Sequence, residues 1–201
     1  MTVEDKRKIL RAGLRARRKA LVASDRIAAA NGVAGTLEQL ADFLVDPSIA
    51  GYWAIDGELP LHVVVANLGR RGQKYCLPRI TGLRQLSFVE WRTGADLEAN
   101  RYGIPEPVCT ESDLIAAQDV DIVLVPLLGF DRQGHRIGYG GGYYDASFAF
   151  LRGRDEARRP LLVGIGYAAQ EVEAIEAAEW DVNLDYVATE SELIDCRAET
   201  P

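Results

Sequence analysis

The chain has 201 residues, 48% hydrophobic and 26% charged, with 19 glycines and 8 prolines. That is an ordinary globular composition; it excludes disorder, collagen and coiled coil and is enough for one domain with its own core. The net charge of -7 hides an uneven spread: residues 1–19 hold eight basic side chains against two acids, a +6 segment on a body of -13. Cys76, Cys109 and Cys196 are odd in number and lack C-x-x-C spacing, which argues against a disulfide framework or zinc site and for a reducing, cytoplasmic setting. No run of about 18 apolar residues offers a membrane span, and no apolar stretch follows the basic one as in a leader.

Residues 4–22 are predicted to form a helix, with Thr2 as cap and an acid three positions on. At 100° per residue, Leu10, Leu14 and Leu21 fall within about 40° of one another, and Arg7, Arg11, Arg15 and Arg18 fill the adjacent arc of about 80°. Such a helix docks on its leucines and points arginines along one seam, suited to an anionic ligand or, alternatively, to nucleic acid. Ser24 is the expected cap of a second helix through about 44. Beyond Asp46-Pro47 short apolar runs alternate with helical stretches, the grammar of a parallel α/β sheet. The predicted strands are Ile49 to Ile55, Lys74 to Leu77, Leu86 to Trp91, Ile122 to Leu128, Leu161 to Tyr167 and Tyr186 to Thr189. Leu61 to Leu68, Tyr143 to Leu151 and Gln170 to Ala178 are the predicted helices, and Arg101 to Val108 an extended loop. The expected fold is a single-domain three-layer α/β/α sandwich over residues 1–201 with a mostly parallel sheet.

The segment Asp121 to Asp145, DIVLVPLLGFDRQGHRIGYGGGYYD, carries the chemistry. A buried strand enters a loop containing Gly138, Gly140, Gly141 and Gly142, and a helix starts at Tyr143. Strand, glycine loop and helix start together present backbone N–H groups to a phosphate; a tight crossover is the plainer structural alternative. Arg136 is placed to pair a phosphate. Asp145, just inside the helix, suits Mg2+ beside phosphates and equally suits the helix start electrostatically. The loop is neither a P-loop nor the dinucleotide fingerprint.

The run Pro126-x-x-x-Phe130-Asp131-x-x-Gly134-x-Arg136-x-Gly138-x-Gly140-x-Gly142-Tyr143-Tyr144-Asp145 resembles the signature of the 5-formyltetrahydrofolate cyclo-ligase family. The likeness extends through the basic N-terminal helix, Glu58, Leu77-Pro78-Arg79, Tyr102-x-Ile104-Pro105-x-Pro107, Gln170 and Asp181-x-x-x-Asp185. It implies a fold like that of sugar-phosphate isomerases and CoA transferases. It also implies ATP- and Mg2+-dependent ring closure of 5-formyltetrahydrofolate to 5,10-methenyltetrahydrofolate: the γ-phosphoryl group activates the formyl oxygen, N10 attacks, and ADP and phosphate are released.

By the same resemblance, Arg7, Arg11 and neighbouring Lys8 meet the nucleotide phosphates. Arg136, Ile137, Gly138, Tyr139, Gly140, Gly141, Gly142, Tyr143 and Tyr144 form the ATP loop. Asp145 and Asp181 hold Mg2+, and Arg136, Tyr143 and Asp145 sit at the chemistry. Glu58 binds the pterin, with Tyr102 and Tyr143 against the folate. Two departures stand out: Gly141 replaces a Lys found in many members, leaving Arg136, Arg79 or the helix to cover that contact, and Leu61 replaces a Thr or similar residue. The implied partners are these small molecules, without nucleic acid or membrane, and a monomer is expected. A phosphate-binding isomerase or transferase on a similar fold, and a non-catalytic folate- or nucleic-acid-binding module, are the alternative readings. His62 and His135 lack a third ligand at metal spacing and are assigned surface or packing roles. Gly164-x-Gly166 is expected to permit close packing. Trp53, Trp91 and Trp180 are expected in the core or at a rim, and Glu171, Glu173, Glu176 and Glu179 on a solvated face.

Overall fold

The computed structural model describes residues 2–153 and 159–197. α1 (Val3–Ala20) opens on the expected reciprocal box, in which the Asp5 N–H donates to Thr2 Oγ1 and the Thr2 N–H to the Asp5 carboxylate. Its leucine stripe docks as predicted, with Leu14 packed among Leu128, Ile137 and Ile175. α2 (Ala23–Leu37) begins before the predicted cap: Val22 holds the capping position with no side-chain bond, and Ser24 lies inside the helix. The helix also breaks earlier than expected, giving a separate α3 (Ala41–Val45). The N–H groups of Gln39 and Leu40 donate to the carbonyls of Thr36 and Leu37. This tightening to three residues per turn buries Leu37, Leu40 and Phe43, which are spaced by three.

The remaining elements are β1 (Ser48–Ala50), α4 (His62–Arg71), β2 (Lys74–Gly82), β3 (Gln85–Glu90), β4 (Leu97–Ala99), β5 (Pro105–Pro107), β6 (Ile122–Pro126), β7 (Gly129–Phe130), β8 (Arg136–Ile137), α5 (Tyr143–Ser147), β9 (Leu161–Ile165), β10 (Tyr186–Ala188) and β11 (Leu193–Asp195). Seven strands form one sheet in the order β11-β10-β9-β6-β1-β2-β3. Its five inner strands are parallel, and its edges are antiparallel, β3 on β2 and β11 on β10. On one face α2, α3 and α4 bury Val33, Leu37, Phe43, Val64 and Leu68 against Ile49, Leu77, Leu124 and Val163. On the other, Phe148, Leu151, Val182 and Leu184 cover Ala50, Cys76, Val123, Val125 and Val187. The mostly parallel α/β sheet with helices is therefore the fold expected, with one outer layer built largely from single turns and loop.

That thin layer is where the predicted helices fail. Tyr143 to Leu151 is one helical turn, α5, followed by a 3-10 turn over Ala149–Leu151. Gln170 to Ala178 forms no helix: after a 3-10 turn at Ala168–Gln170, the N–H of Val172 donates to the Phe130 carbonyl and that of Ile175 to Asp131 Oδ2. Tertiary partners thus override a helix-favouring composition. Several strands also stop short at their carboxyl ends: β1 at Ala50, β6 at Pro126 and β9 at Ile165. Past β1 the chain is held by a side chain, since the Tyr52 N–H donates to the Tyr75 hydroxyl at 3.1 Å and that hydroxyl donates to the Tyr52 carbonyl at 3.0 Å. Gly51 is required here, because a Cβ would stand 2.3 Å from Tyr75 Oη. The Arg101 to Val108 loop carries β5, paired with β4.

Candidate active site

β1 is flanked by β2 on one side and β6 on the other, so the crossovers leave it in opposite directions. Ligands of open α/β sheets bind outside the carboxyl ends of the strands at such a switch point. A cleft of about 800 Å3 lies there, lined by Tyr52, Trp53, Ile55 and Glu58 beyond β1, Pro78 and Ile80 of β2, and Pro126 of β6. The early strand ends make this room.

The loop from Gly138 to Gly142 forms one wall, together with Arg7 and Arg11 of α1. Gly140 and Gly142 have φ of 99° and 67°, backbone that glycine alone enters without penalty. Gly138 instead leaves open space where a Cβ would be. Gly142 occupies the capping position of α5 with no side-chain cap, so the first N–H groups of that turn have no intrahelical acceptor. Arg11 clamps the loop, its Nε donating to the Gly138 carbonyl at 3.2 Å and its Nη1 to Glu4 Oε1 at 2.7 Å. Lys8 is exposed and does not line the cleft; Ile137 lines it from beneath the loop while packing into the core.

Two carboxylates stand on this wall, each paired with an arginine. Arg7 donates to both carboxylate oxygens of Asp181 and to the Glu176 carbonyl; burial is nearly complete for Arg7, at 8% exposed. Arg136 Nη2 donates to Asp145 Oδ1 at 2.6 Å, the Val182 N–H donates to the same oxygen at 3.2 Å, and Arg136 Nη1 donates to the Val182 carbonyl. Asp145 and Asp181, far apart in sequence, are thereby brought to one cavity. Among the described residues no cluster of three or more His, Cys, Asp or Glu side chains forms a metal cage. Two carboxylates lining one cavity are nevertheless the donor set that suits Mg2+, which binds through one or two carboxylates, substrate oxygens and water.

Glu58, which also lines the cleft, is buried, at 8% exposed, with Oε2 accepting the Ile55 N–H at 2.9 Å. Burial pushes its carboxyl up to about 7, opposed by the Ile55 N–H, Arg18 and Tyr139. Tyr102 and Tyr143 meet edge to face, with ring centroids 6.1 Å apart and hydroxyls at 3.0 Å. The Tyr143 hydroxyl also accepts from Arg101 Nη2, and these two partners, Tyr102 first, hold it below its ordinary value. Burial raises the Tyr144 hydroxyl far above its ordinary value.

Several lining residues had no sequence signal. Arg84 occupies a left-handed position, φ 58°, in the β2–β3 hairpin, and its Cδ comes 3.8 Å from the Cβ position of Gly142. Arg79, expected as a substitute for the missing Lys, is instead committed to the Pro107 carbonyl and Glu98, both at 2.7 Å. Arg84 stands by the loop in its place, and Arg152 also lines the cleft. Glu106, buried, accepts from the Ile80 N–H and Asn100 Nδ2 and shapes the floor. The residues set aside are structural: Asp131 accepts the N–H groups of Gln133, His135 and Ile175, and its Oδ2 lies 2.9 Å from His135 Nδ1. Trp53 and Trp180 are rim aromatics of the cleft. Glu171 and Glu176 pair with Arg132 and Lys6.

A cleft of this kind, lined by glycines, arginines and a buried acid outside the carboxyl ends of a parallel sheet, is the working face of an α/β enzyme acting on small molecules. Comparison with known proteins agrees. The family model described as the 5-formyltetrahydrofolate cyclo-ligase family matches residues 3–190. A 5-formyltetrahydrofolate cyclo-ligase of Escherichia coli K12 is 28% identical over 90% of this chain and 98% of its own length. One from Haemophilus influenzae is 29% identical over 68% and 72%. The NMR structure of Aquifex aeolicus 5,10-methenyltetrahydrofolate synthetase superposes with a TM-score of 0.81 at 28% identity, covering 97% of this chain and 95% of that one. The chain belongs to the 5-formyltetrahydrofolate cyclo-ligase family.

Proposed function

We propose that the cleft converts 5-formyltetrahydrofolate to 5,10-methenyltetrahydrofolate at the expense of ATP, with Mg2+, releasing ADP and phosphate, in a single domain spanning the chain. The observation that carries this reading is the placement of the glycine loop with Arg7, Arg11 and Arg136 in the same cavity as the buried Glu58. The loop N–H groups and the arginines hold the triphosphate by charge-assisted bonds. Glu58, when ionised, accepts from the paired N–H donors of the pterin edge. Tyr102 and Tyr143 close over the folate between these two ends. The formyl oxygen is thereby set in line with the γ-phosphate, which converts a poor leaving group into phosphate, and N10 closes the ring. Asp145 and Asp181 would hold Mg2+, which neutralises charge on the phosphates when bound.

The inward turn of the basic helix supports the same reading against a nucleic-acid arm. Arg7 and Arg18 are buried and Arg11 is paired with Glu4, and Arg7 and Arg11 line the cleft, so the predicted arginine seam is turned toward the cavity and not spread over an open outer face as a nucleic-acid arm requires. No described helix is long and apolar enough to cross a membrane; the cysteine usage supports a cytoplasmic setting. The test is the absorbance gained by the conjugated methenyl product when the chain is given 5-formyltetrahydrofolate, ATP and Mg2+. Omission of either ATP or Mg2+ is expected to abolish the signal, and no signal beside a working relative refutes the proposal.

A further inference from the structure

Residues 138–142 read Gly-Tyr-Gly-Gly-Gly, so the loop offers backbone N–H groups to an anion but no cation of its own. The arginines of its wall are each matched by a carboxylate: Arg7 by Asp181, Arg11 by Glu4 and Arg136 by Asp145. A polyanion entering here meets charges that already cancel in pairs. Arg84 is different. It lines the same cleft and is exposed, and among the described residues its guanidinium has no hydrogen bond or ion pair. Its Cδ and Nη1 lie 3.8 and 3.9 Å from the position that a Cβ would take on Gly142, which sets an uncompensated positive charge beside the last glycine of the loop.

This charge comes from the β2–β3 hairpin, more than fifty residues before the loop in sequence, and the fold ties the two segments together. The Leu86 N–H donates to Ser147 Oγ of α5 at 2.9 Å. Phe88 of β3 packs on Phe148, with ring centroids 6.2 Å apart. At the turn, Arg84 itself has φ 58°, left-handed backbone that glycine or asparagine enters more readily than arginine. We infer that Arg84 is a phosphate-binding residue, which brings to the glycine loop from a remote hairpin the unpaired cation that holds the triphosphate of ATP. The inference rests on the proposed function in placing ATP at the loop. A guanidinium pairs phosphate oxygens through parallel N–H donors. With no carboxylate competing for it, all of its donors are open to the ligand, whereas Arg7, Arg11 and Arg136 share theirs with Asp181, Glu4 and Asp145.

The experiment measures equilibrium binding to the full chain of ATP with Mg2+ and, separately, of the mono- and triglutamate forms of 5-formyltetrahydrofolate. Arg84→Met removes the charge; Arg84→Asn removes it with a residue suited to left-handed backbone, so a loss shared by both is not strain. Both variants are expected to weaken ATP about tenfold, to flatten the dependence of ATP affinity on salt and to leave both folates unaffected. In turnover the KM for ATP rises and that for the folate does not. Arg84→Lys keeps the charge and most of the affinity. Unchanged ATP affinity in both neutral variants overturns the inference. So does a loss confined to the triglutamate folate, which assigns the arginine to the acidic tail of that substrate. ATP affinity that depends on Arg84 in a chain forming no methenyl product leaves the phosphate contact standing and removes the proposed reaction; product formation indifferent to Arg84 does the reverse.

Discussion

Glu58→Gln separates what the buried acid costs the fold from what it does for a ligand. The carboxyl is raised from 4.5 to about 7 by burial. Each pKa unit is worth about 1.4 kcal/mol, so holding Glu58 ionised costs the free folded chain about 3 kcal/mol at pH well above 7. The sign follows from proton counting. Between 4.5 and about 7 the native state binds the proton more tightly than the unfolded chain, so this group erodes stability as pH rises through that window and no further above it. Glutamine keeps the bond from the Ile55 N–H and cannot ionise. It also leaves Arg18 with less compensation, a constant offset that the pH dependence removes. Thermal unfolding of both proteins between pH 4 and pH 8.5 is the assay. The glutamine variant is expected to gain on wild type across that interval by roughly 6–12 °C for a chain of this size, while losing 5-formyltetrahydrofolate binding. A difference in Tm that stays flat with pH refutes the burial argument.

The loop glycines should divide by backbone conformation: Gly140→Ala, at φ 99°, is expected to cost about 1–2 kcal/mol of stability as well as activity. Gly138→Ala, whose Cβ enters open space, should leave Tm within about 1 °C and raise the KM for ATP; a large Tm loss would contradict the open-space placement. Asp145→Ala is expected to abolish turnover with folate affinity nearly intact, and turnover that survives at ordinary Mg2+ concentrations would contradict the metal assignment. Gly164→Ala puts a Cβ 2.5 Å from Leu184 Cδ1 and 2.9 Å from Leu127 Cδ2, an overpacking cost of about 1–3 kcal/mol visible in Tm with both KM values unchanged.

The reach of each signal decides what was legible. The arginine seam of α1 was readable because 100° periodicity is a local property; its inward direction was not, since that depends on Tyr139, Asp56 and Asp181 arriving from elsewhere. The apolar runs announced the parallel strands, but not where β1 and β6 end, because Tyr75 and the cleft set those ends. The stretch after Gln170 carries helix-forming residues, yet Phe130 and Asp131 take its N–H groups. Arg84 and Glu106 gave no pattern at all, one lying in a hairpin turn and the other in the three-residue strand β5 between two prolines.

By itself the sequence determined the α/β class, the glycine loop, the capped basic helix and, through a long motif, the family. Tertiary structure alone decided which arginine stands beside the loop, that Asp145 and Asp181 share one wall, and that Glu58 is buried enough to titrate near neutrality. Those are properties of distance and dielectric between segments remote in the chain, and neither has an image in local composition.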